Sequence, residues 1–550
     1  MRLLIIGGVA AGTSAAAKAR RNDETAEIVI YEKDTYISYS SCGMPYYIGG
    51  EIDEAEKLTP RTPSFFKHKY NVDVFVCHEV LDIDKAAKTI AVKDLTTGES
   101  FKDHYDKLVI ATGAKAVLPP VKGAKGDHVF TLRNIGDMNR IKDYISLKKP
   151  KSALILGTGF IGLEVCENLV RLGLEVTLIE RLPQVTPGLD KDMSLYLEDH
   201  LKKNKVTVLT GANVIEIKKD RVLLEDGREI CTDFILLSAG VRPNTELAEK
   251  AGIELGITKA IKVNDRMLTS AEDIYACGDC TEQFHIVTGK PVYRPMGSTA
   301  NKTGRITGDS ITGGNLTFRG ILGTGIFRVF DMVIAQTGLS EKEAKAEGYE
   351  TVVCHNIKPN KPEYMGGKEM VIKGVADKVT GRLLGVQIIG DEGVDKRIDV
   401  FATAITFKAG VDDLFHLDLA YAPPFSTTKD PVMYTGMILD NAIHGDRKLV
   451  TAEELKDLME SGKDYNMIDA RVLAQYEKDH IETASNFPHE TLRQSLKSFD
   501  KNTITVTYCN KGVTGNAAQN VLLNHGFKEV YNLSGGHKHF RKIFKRINTD

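Results

Sequence analysis

Two glycine-rich turns, each between a predicted strand and a predicted helix, constrain the fold of this 550-residue chain more than any other feature. The first, residues 7–12 (GGVAAG), is followed by a helix and by a strand that ends at Glu32. The second, residues 157–162 (GTGFIG), is followed in the same way by a strand that ends at Glu180. In such βαβ units the turn amides and the helix N-terminus bind a pyrophosphate, and the acid binds a ribose hydroxyl. The sequence therefore predicts two Rossmann-like domains and two bound dinucleotides.

The first turn departs from the G-x-G-x-x-G fingerprint at its second glycine. The first has Val9 where the second has Gly159. Its neighbours Ala10 and Ala11 are small, so the backbone can still approach a ligand closely. The acid of the first unit follows its turn at the expected spacing of about 20 residues. We therefore expect both units to bind nucleotides.

The size and charge of the chain exclude some classes of protein. A chain of 550 residues exceeds what one hydrophobic core supports, so we expect several domains. Lys plus Arg number 72 against 74 for Asp plus Glu, a balance that favours neither nucleic acid nor a membrane as a partner. No apolar run reaches the ~18 residues of a membrane span, and the first strand leaves no room for a signal peptide. We expect a cytoplasmic protein.

Eight cysteines are scattered along the chain, and in a reducing compartment they would not form a disulfide framework. Cys42 stands out because it lies ten positions beyond Glu32, within residues 38–45 (SYSSCGMP). No second cysteine follows closely, so we expect Cys42 to form a mixed disulfide, a persulfide or a sulfenic acid. It is predicted to begin the next helix, whose dipole would stabilise a thiolate. The alternative is a buried core cysteine.

Three further strand-and-turn segments follow: residues 111–113 (ATG), 239–244 (AGVRPN) and 274–279 (IYACGD). In that order and spacing, the chain from residue 1 to about 445 resembles the pyridine-nucleotide disulfide oxidoreductase family. The resemblance implies FAD, NAD(P)H and a homodimer. It also implies an FAD-binding domain at 1–110 and 241–320, an NAD(P)H-binding domain at 111–240 and an α+β dimerisation domain at 321–445.

The composition changes after a polar linker at residues 444–448, where a capping box opens a new helix. The remaining residues, 446–550, resemble a rhodanese domain, which is a small α/β sulfurtransferase module. The loop at residues 509–514 (CNKGVT) has the six-residue length of sulfurtransferases, whose loop amides stabilise a thiolate or persulfide. Many rhodaneses end this loop with arginine, whereas Thr514 stands here and leaves Lys511 as the main local charge. The alternative is an inactive docking module. The predicted class of the whole chain is α/β.

Family members with one redox cysteine are either NADH oxidases and peroxidases or coenzyme A disulfide reductases. The oxidases and peroxidases carry a histidine at the fourth residue of the first glycine turn, where this chain has Ala10. Residues 38–45 and 421–425 (YAPPF) resemble the coenzyme A disulfide reductase pattern instead. With its rhodanese module, the chain is similar to coenzyme A disulfide reductase–rhodanese fusions, which are related to NADH-dependent persulfide reductases.

This resemblance implies an FAD-dependent enzyme in which NAD(P)H reduces CoA disulfide, CoA persulfide or polysulfide through Cys42. Coenzyme A would be the substrate or the bound thiol. One alternative is an NADH oxidase or peroxidase with a Cys42 sulfenic acid. A second alternative, from a different class, is a redox sensor or sulfur-carrier docking protein without rapid turnover.

The resemblance also implies roles for residues at the substrate. Cys42 and Cys509 would be the reactive thiols, and Tyr364 and Tyr421 would hydrogen-bond the substrate sulfur in the partner subunit, unless they only pack the interface. Contacts to CoA would come from Ser14, Lys18, Arg21, Ser38, Ser41 and Phe425. Cations for the CoA phosphates are expected among Lys18, Arg20, Arg21, Lys67 and Lys69, where the alternative is a solvated basic surface.

The nucleotide contacts follow from the same resemblance. Those to FAD would come from Gly7, Gly8, Ala10, Ala11, Gly12, Glu32, Lys33, Ala111, Thr112, Gly113, Asp279, Thr299 and Ala300. Those to NAD(P)H would come from Gly157, Gly159, Phe160, Ile161, Gly162, Glu180 and Gly240. The Glu180 carboxylate would accept from the ribose 2′-OH and repel a 2′-phosphate, so we expect NADH to be preferred, with Arg181 allowing some use of NADPH.

One pair of cysteines has the CxxC spacing of redox motifs. We expect Cys277 and Cys280 to pack in the core, with Asp279 binding a flavin ribityl or ribose hydroxyl. No His or Cys cluster has the spacing of a metal site, and we expect none.

Overall fold

The computed structural model describes residues 1–544, which fold into two compact units. The first comprises Met1–Pro183 and Lys205–Ile321, and the second comprises Gln184–Asn204 and the chain from Leu322 onward. Within the described residues, no helix combines the length and the apolar character needed to cross a membrane.

The first sheet of unit 1 is parallel and draws its strands from both ends of the unit. Its order is Ile274–Ala276, Lys107–Ile110, Arg2–Ile6, Glu27–Tyr31 and Asp73–Phe75. The central strands are mostly apolar and buried because both of their faces are covered. One face packs on the helices Ala10–Asn22, Pro63–Tyr70 and Gly297–Ile311, and the other packs against the antiparallel strands His78–Asp84, Thr89–Asp94 and Ser100–His104.

Small residues bring two of these helices into backbone contact. A Cβ at Gly304 would overlap the carbonyl of Ala11, and one at Gly308 would overlap the carbonyl of Ala15. The alanine-rich first helix therefore lies directly against the helix Gly297–Ile311.

The second sheet of unit 1 is also parallel. Its order is Thr207–Thr210, Glu175–Glu180, Ser152–Leu156, Phe234–Leu237 and Val129–Phe130. The antiparallel strands Val214–Ile217, Arg221–Leu224 and Glu229–Cys231 share a core with this sheet. Unit 1 also contains two short strand pairs, Ala114–Ala116 with Val241–Pro243 and Gln283–Phe284 with Pro291–Val292. Its other α-helices are Met44–Ile48, Ile135–Lys148, Phe160–Arg171 and Glu246–Lys250. Its 3₁₀ helices are Ser41–Gly43 and Ala55–Leu58.

Unit 2 contains an antiparallel sheet that is buried on both faces along its central strands. Its order is Gly325–Val329, Met332–Gly338, Leu383–Gly390, Glu369–Asp377 and Thr351–Pro359. The helices of this part are Lys191–Lys203, Glu341–Ala346, Val394–Thr406, Asp413–His416 and Pro431–Ile443, with a 3₁₀ turn at Glu363–Met365.

The last sheet, also in unit 2, is parallel. Its order is Leu449–Val450, Val530–Leu533, Ile504–Tyr508, Tyr465–Asp469 and Ser485–Asn486. The α-helices Ala452–Glu460, Leu473–Lys478, Val513–Asn524 and Gly536–Phe544 and the 3₁₀ helices Leu492–Gln494 and Leu496–Ser498 surround it. The predicted capping box is present: the Thr451 hydroxyl accepts from the Glu454 amide, and the Glu454 carboxylate accepts from the Thr451 amide. The predicted α/β class is confirmed.

Candidate active site

The first glycine turn has the geometry that a bound pyrophosphate requires. Gly7 has φ +106°, and a Cβ there would overlap the carbonyl of Ala111. A Cβ at Gly12 would overlap the carbonyl of Gly7. No described side chain caps the helix Ala10–Asn22, so its first amides can bind an anion.

The acid predicted at the end of the second strand lies beside this turn. The Glu32 carboxylate accepts from the amide of Gly8 at 2.7 Å and from the amide of Asp34 at 2.9 Å. Burial raises its pKa. Lys33 is exposed next to it. The carboxylate is therefore fixed beside the first glycine turn.

The remaining predicted FAD contacts lie beyond the carboxyl ends of two neighbouring parallel strands, Lys107–Ile110 and Ile274–Ala276, and at the start of one helix. The Thr112 hydroxyl donates to the carbonyl of Asn244 at 2.7 Å, and Gly113 has φ +67°. The Asp279 carboxylate pairs with Arg133 at 2.9 Å. Thr299 and Ala300, in the first turn of the helix Gly297–Ile311, are buried. The sequence did not single out Arg133, because no motif surrounds it.

The second glycine turn repeats the arrangement of the first. Gly157 has φ +100°, and no atom lies within 4 Å of a Cβ placed on Gly159, so there is open space for a ligand. The helix that follows begins with Phe160, Ile161 and Gly162. The Glu180 carboxylate accepts from the amide and the hydroxyl of Thr158 at 3.1 and 2.9 Å. Gly240, at φ +100°, is also surrounded by open space.

Cys42 is exposed, which contradicts a role in the core. It was expected to begin a helix, and it lies in the 3₁₀ turn that leads into one. Cys42 lies in the 3₁₀ turn Ser41–Gly43, and the five-residue helix Met44–Ile48 begins just after it. Pro45 favours the first turn of a helix and here occupies its second position.

The segment that carries Cys42 is tied to the first glycine turn. The Ser38 amide donates to the Gly8 carbonyl at 2.9 Å, and Ser38 itself has φ +49°. The Ser40 amide donates to the carbonyl of Leu58 at 2.8 Å. These contacts fix the backbone that precedes Cys42, and the first of them joins it to the first glycine turn.

Two predicted CoA contacts on the first helix bind the neighbouring helix. The Ser14 hydroxyl donates to the Asn301 side chain at 2.7 Å, and Lys18 pairs with Asp309 at 3.0 Å. Arg20 was a wrong candidate. Its buried guanidinium donates to the backbone carbonyls of Tyr70, Asp23, Glu24, Ala26 and Asn71.

Arg21 contributes to a cation–aromatic patch, which we define as Arg21, Arg61, Phe65, Lys69 and Tyr70. The Arg21 guanidinium lies 5.5 Å from the centroid of Tyr70. Arg61 and Lys69 lie 5.9 and 5.3 Å from the centroid of Phe65. Such a patch can hold an anionic group and an aromatic base. The aromatic members were missed because single aromatic residues carry no motif.

Three predicted substrate residues lie in unit 2 on exposed segments. Tyr364 is 76% exposed in the turn Glu363–Met365, and Tyr421 and Phe425 are 48% and 71% exposed. Their side chains are therefore accessible from outside the chain.

The C-terminal loop begins at Cys509, directly after the strand Ile504–Tyr508. The Cys509 carbonyl accepts from the His537 amide at 2.8 Å, and a Cβ at Gly536 would overlap that carbonyl. The Asn510 side chain accepts from Arg471 at 3.1 Å. The loop is therefore fixed from two sides.

Lys511 was predicted to be the main charge at the Cys509 loop, but the structure places it in an ion pair. It forms an ion pair with Glu369, on the antiparallel sheet of the same unit, and Lys538 binds the same carboxylate. Burial acts to raise the pKa of Glu369, but the two lysines outweigh it and lower that pKa. Much of the Lys511 charge is therefore neutralised.

Cys277 and Cys280 are fully buried, as predicted for packing residues. Burial raises the pKa of both thiols, that of Cys280 to about 11. Neither is positioned as a reactive thiolate at neutral pH.

One group with metal-ligand chemistry appears in the structure although the sequence gave no signal for it. Asp192, His355 and His539, from three distant segments, place one ligand atom each within 4.8 Å of one another. Lys373 already binds the Asp192 carboxylate at 2.8 Å, and His355 Nε2 lies 2.6 Å from the same carboxylate. These contacts occupy the carboxylate, so we assign the group a role in packing within unit 2.

Comparison with known proteins agrees with this geometry. Residues 1–300 match the pyridine nucleotide-disulphide oxidoreductase family, residues 326–431 match its dimerisation domain, and residues 451–542 match a rhodanese-like domain. A protein of Pyrococcus furiosus named NAD(P)H sulfur oxidoreductase (CoA-dependent) is 37% identical over 442 residues, which are 80% of this chain and 99% of that protein.

Two solved structures cover nearly the whole chain. Reduced CoADR-RHD of Bacillus anthracis has a TM-score of 0.97 and 37% identity, covering 99% of this chain and 98% of its own. A NAD-dependent persulfide reductase from A. fulgidus has a TM-score of 0.91 and 36% identity, covering 98% and 100%. The chain therefore belongs to the pyridine nucleotide-disulphide oxidoreductase family and carries a dimerisation domain and a C-terminal rhodanese-like domain.

Proposed function

We propose that the chain is an FAD-dependent NAD(P)H reductase of CoA disulfide, CoA persulfide or polysulfide, with a fused sulfurtransferase module. The observation that carries the proposal is the exposed, solitary Cys42, whose segment is hydrogen-bonded to the first glycine turn. Relatives named for CoA-dependent sulfur reduction support the substrate class.

FAD would be held by the first glycine turn, by Glu32 and by Asp279. When bound, it supplies electron transfer between the nicotinamide and a thiol. NAD(P)H would be held by the second glycine turn. Glu180 favours NADH because its carboxylate can accept from a 2′-OH and repels a 2′-phosphate. Exposed Arg181 would allow some use of NADPH.

The role of Cys42 is to form and release one disulfide. Its thiolate attacks a sulfur of CoA disulfide, which forms a Cys42–CoA mixed disulfide and releases one CoA thiolate. Two electrons, supplied by NAD(P)H, and a proton then cleave the mixed disulfide and release the second CoA. With CoA persulfide, attack at the CoA-bound sulfur releases hydrosulfide instead.

The CoA phosphates would bind near the first helix. Arg21 and the cation–aromatic patch offer positive charge and an aromatic face, and Lys18 and Ser14 lie on the same helix. Ser38 and Ser41 flank the thiol. Tyr364, Tyr421 and Phe425, exposed in this chain, would complete the Cys42 site of the partner subunit in a homodimer.

We propose that the domains divide as the sequence indicates. The strand Ile274–Ala276 joins the first sheet, which supports an FAD-binding domain split between residues 1–110 and 241–320 around an NAD(P)H-binding domain at 111–240. The dimerisation domain would cover 321–445 and the rhodanese-like domain 446–550. One departure is the helix Lys191–Lys203, which packs within unit 2.

Anaerobic stopped-flow mixing tests the function. The NADH-reduced enzyme is mixed with CoA disulfide, CoA persulfide or hydrogen peroxide, and flavin absorbance is followed. We expect fast reoxidation by a CoA substrate and slow reoxidation by peroxide, since Ala10 stands where the peroxidases have histidine. Faster reoxidation by peroxide would favour the oxidase or peroxidase alternative. No reoxidation by any of the three would favour the sensor or docking protein.

A further inference from the structure

A pocket of about 530 Å³ lies beside the Cys509 loop. The residues that line it are Asn510, Lys511, His537, Lys538, Arg541 and Lys542. The first two follow Cys509 in the loop, and the other four belong to the helix Gly536–Phe544. Pockets that bind organic ligands measure roughly 300–1,000 Å³. This pocket is therefore large enough for the organic part of a sulfur donor, whereas thiosulfate would fill little of it.

Backbone contacts fix the helix against the loop. The His537 amide donates to the Cys509 carbonyl at 2.8 Å, and the Lys538 amide donates to the Asn510 carbonyl at 3.0 Å. Cys509 itself is only 6% exposed. The body of a donor therefore stays outside the loop, next to the helix, while its terminal sulfur reaches the thiol.

Three cations share one face of this helix. Lys538, Arg541 and Lys542 are spaced i, i+3 and i+4, which brings their side chains together. The side chains of Lys538 and Arg541 are 51% and 43% exposed, against 21% for Lys542. Lys538 and Arg541 are therefore the two that a ligand in the pocket meets first.

The cations that line the pocket outnumber their carboxylate partners in the described part of the chain. Four cations share three carboxylates: Glu369 binds Lys511 and Lys538, Asp479 binds Arg541, and Asp199 binds Lys542. Exposed ion pairs stabilise a protein little, so an incoming anion can take the place of a carboxylate. The pocket therefore favours a negatively charged ligand.

Loading of Cys509 with sulfur defines what that ligand carries. The Cys509 thiolate attacks the outer sulfur of a donor persulfide, R–S–S⁻, so that a Cys509–sulfur bond forms, the donor sulfur–sulfur bond breaks and R–S⁻ leaves. Sulfane sulfur moves from one thiol to the other, and no external oxidant or reductant is consumed. During the attack the R group lies outside the loop, where the cationic helix face is available to it.

We propose that this pocket binds the anionic body of an organic persulfide, with Lys538 and Arg541 as the residues that recognise its carboxylate or phosphate groups. The inference rests on the proposed sulfurtransferase function and names the donor class of that site. Glutathione persulfide and CoA persulfide share this chemistry, whereas thiosulfate has no organic body.

Disulfide exchange at Cys509 in the full-length holoenzyme tests the pocket without any sulfur transfer. Dithiobis(nitrobenzoate) is a dianionic aromatic disulfide and dithiodipyridine is a neutral one, so the ratio of their rates at one pH reports recognition of an anionic body. Peptide mass spectrometry separates Cys509 from the other cysteines. We expect Lys538→Met and Arg541→Met each to lower the ratio on the order of fivefold. Glu369→Gln should raise it, because two lysines lose their carboxylate partner.

Lys528→Met is the matched control. Lys528 is exposed and precedes the strand Val530–Leu533, at the amino end of the parallel sheet, whereas Cys509 follows the carboxyl end of the neighbouring strand. Its removal should leave the ratio unchanged. An unchanged ratio in Lys538→Met or Arg541→Met would overturn the inference. An equal fall in Lys528→Met would overturn it as well, because the effect would then come from the net charge of the domain.

A transfer assay identifies the donor. Cys509 is loaded from glutathione persulfide, CoA persulfide or thiosulfate, and the protein persulfide is measured by mass spectrometry with Cys509→Ser as the blank. We expect an organic persulfide to load with a lower KM than thiosulfate. Lys538→Met should raise that KM with little change in kcat, because the lysine binds the body equally before and during the attack. The donor with the lowest KM shows whether carboxylates or phosphates are recognised.

The two assays also separate this inference from the proposed function. A lower KM for thiosulfate than for both organic persulfides would overturn the inference while the sulfurtransferase function stands. If the wild type loads from none of the three donors, the sulfurtransferase function fails, while the ratio of disulfide rates still decides whether the pocket recognises an anionic body.

Discussion

The Ser38 amide donates to the carbonyl of Gly8 at 2.9 Å, which couples the segment carrying Cys42 to the first glycine turn. This hydrogen bond joins backbone atoms, and Ser38 has the positive φ of +49° where it forms the bond. A change in the turn is therefore expected to shift the thiol, because the two share one hydrogen-bonded segment.

Cys42→Ser should keep FAD and its reduction by NADH, because hydride transfer to the flavin does not use the thiol. Turnover with CoA disulfide or persulfide should fall by at least about 10³-fold, since the nucleophile is lost. Steady-state assays and anaerobic flavin bleaching measure the two steps. Cys231→Ser, at another exposed cysteine, is the matched control and should keep turnover. Substantial turnover in Cys42→Ser would mean that another thiol carries the reaction.

Glu180→Ala should narrow the preference for NADH over NADPH. The carboxylate, held by Thr158, would no longer repel a 2′-phosphate or accept from the 2′-OH. We expect roughly a tenfold change in the ratio of kcat/KM values, which corresponds to about 1.4 kcal/mol. Glu175→Ala, an exposed acid at the start of the same strand, serves as control. A wild-type enzyme that already prefers NADPH would contradict the prediction.

Tyr421→Phe should slow turnover with CoA substrates more than flavin reduction by NADH. The hydroxyl is proposed to hydrogen-bond the substrate sulfur as charge develops, and loss of one such donor costs on the order of 10²-fold in rate. Stopped-flow measurement of both half-reactions shows the difference. Size-exclusion chromatography is the companion measurement. A variant that dissociates into monomers with normal chemistry would assign Tyr421 to interface packing.

The parts of the site that the sequence predicted are those set by short-range geometry. A strand, a glycine turn and a helix are adjacent in the chain, so Gly7, Gly157, Glu32 and Glu180 could be placed from spacing alone. Arg20 could not be placed, because two of the five carbonyls it binds lie about 50 residues away, at Tyr70 and Asn71. The positive charge of Arg20 suggested that it binds a phosphate of the substrate. The side chain is buried instead, and its hydrogen bonds hold the backbone.

Contacts between domains were missed for the same reason. Residues 446–550 were expected to be a separate module beyond a linker, but the structure gives them buried contacts within unit 2, including that of His355 with Ser534. The two residues are 179 positions apart. No local pattern in the sequence reports such a pairing.

These contacts change what a truncation should do. Cys509→Ser should abolish loading of sulfane sulfur, because the acceptor thiol is lost. Deletion of residues 447–550 should do the same and also lower the melting temperature, since it exposes His355 and removes partners of Asp199 and Glu369. Differential scanning calorimetry compares the two variants. Equal melting temperatures would show that the module is independent, and CoA disulfide reduction reports separately on Cys42.

His539 should make stability depend on pH. Its side chain is fully buried, stacks at 4.0 Å on His355 and lies near Asp192 and Lys373. Its Nδ1 lies 2.9 Å from the Tyr196 hydroxyl, and its Nε2 has no hydrogen-bond partner among the described residues. Burial, together with the neighbouring His355, lowers the pKa of His539 well below its ordinary value of 6.5.

The free energy of unfolding should therefore fall as the pH drops below about 6.5. The unfolded chain then binds a proton at His539 that the folded chain does not, at up to about 1.4 kcal/mol per pH unit for each such histidine. His537, whose pKa burial lowers to about 4, acts in the same direction between pH 6.5 and 4. Urea unfolding across this range measures the slope. His539→Gln should reduce it, whereas His525→Gln, at an exposed position, should not. An unchanged slope in His539→Gln would assign the pH dependence to other groups.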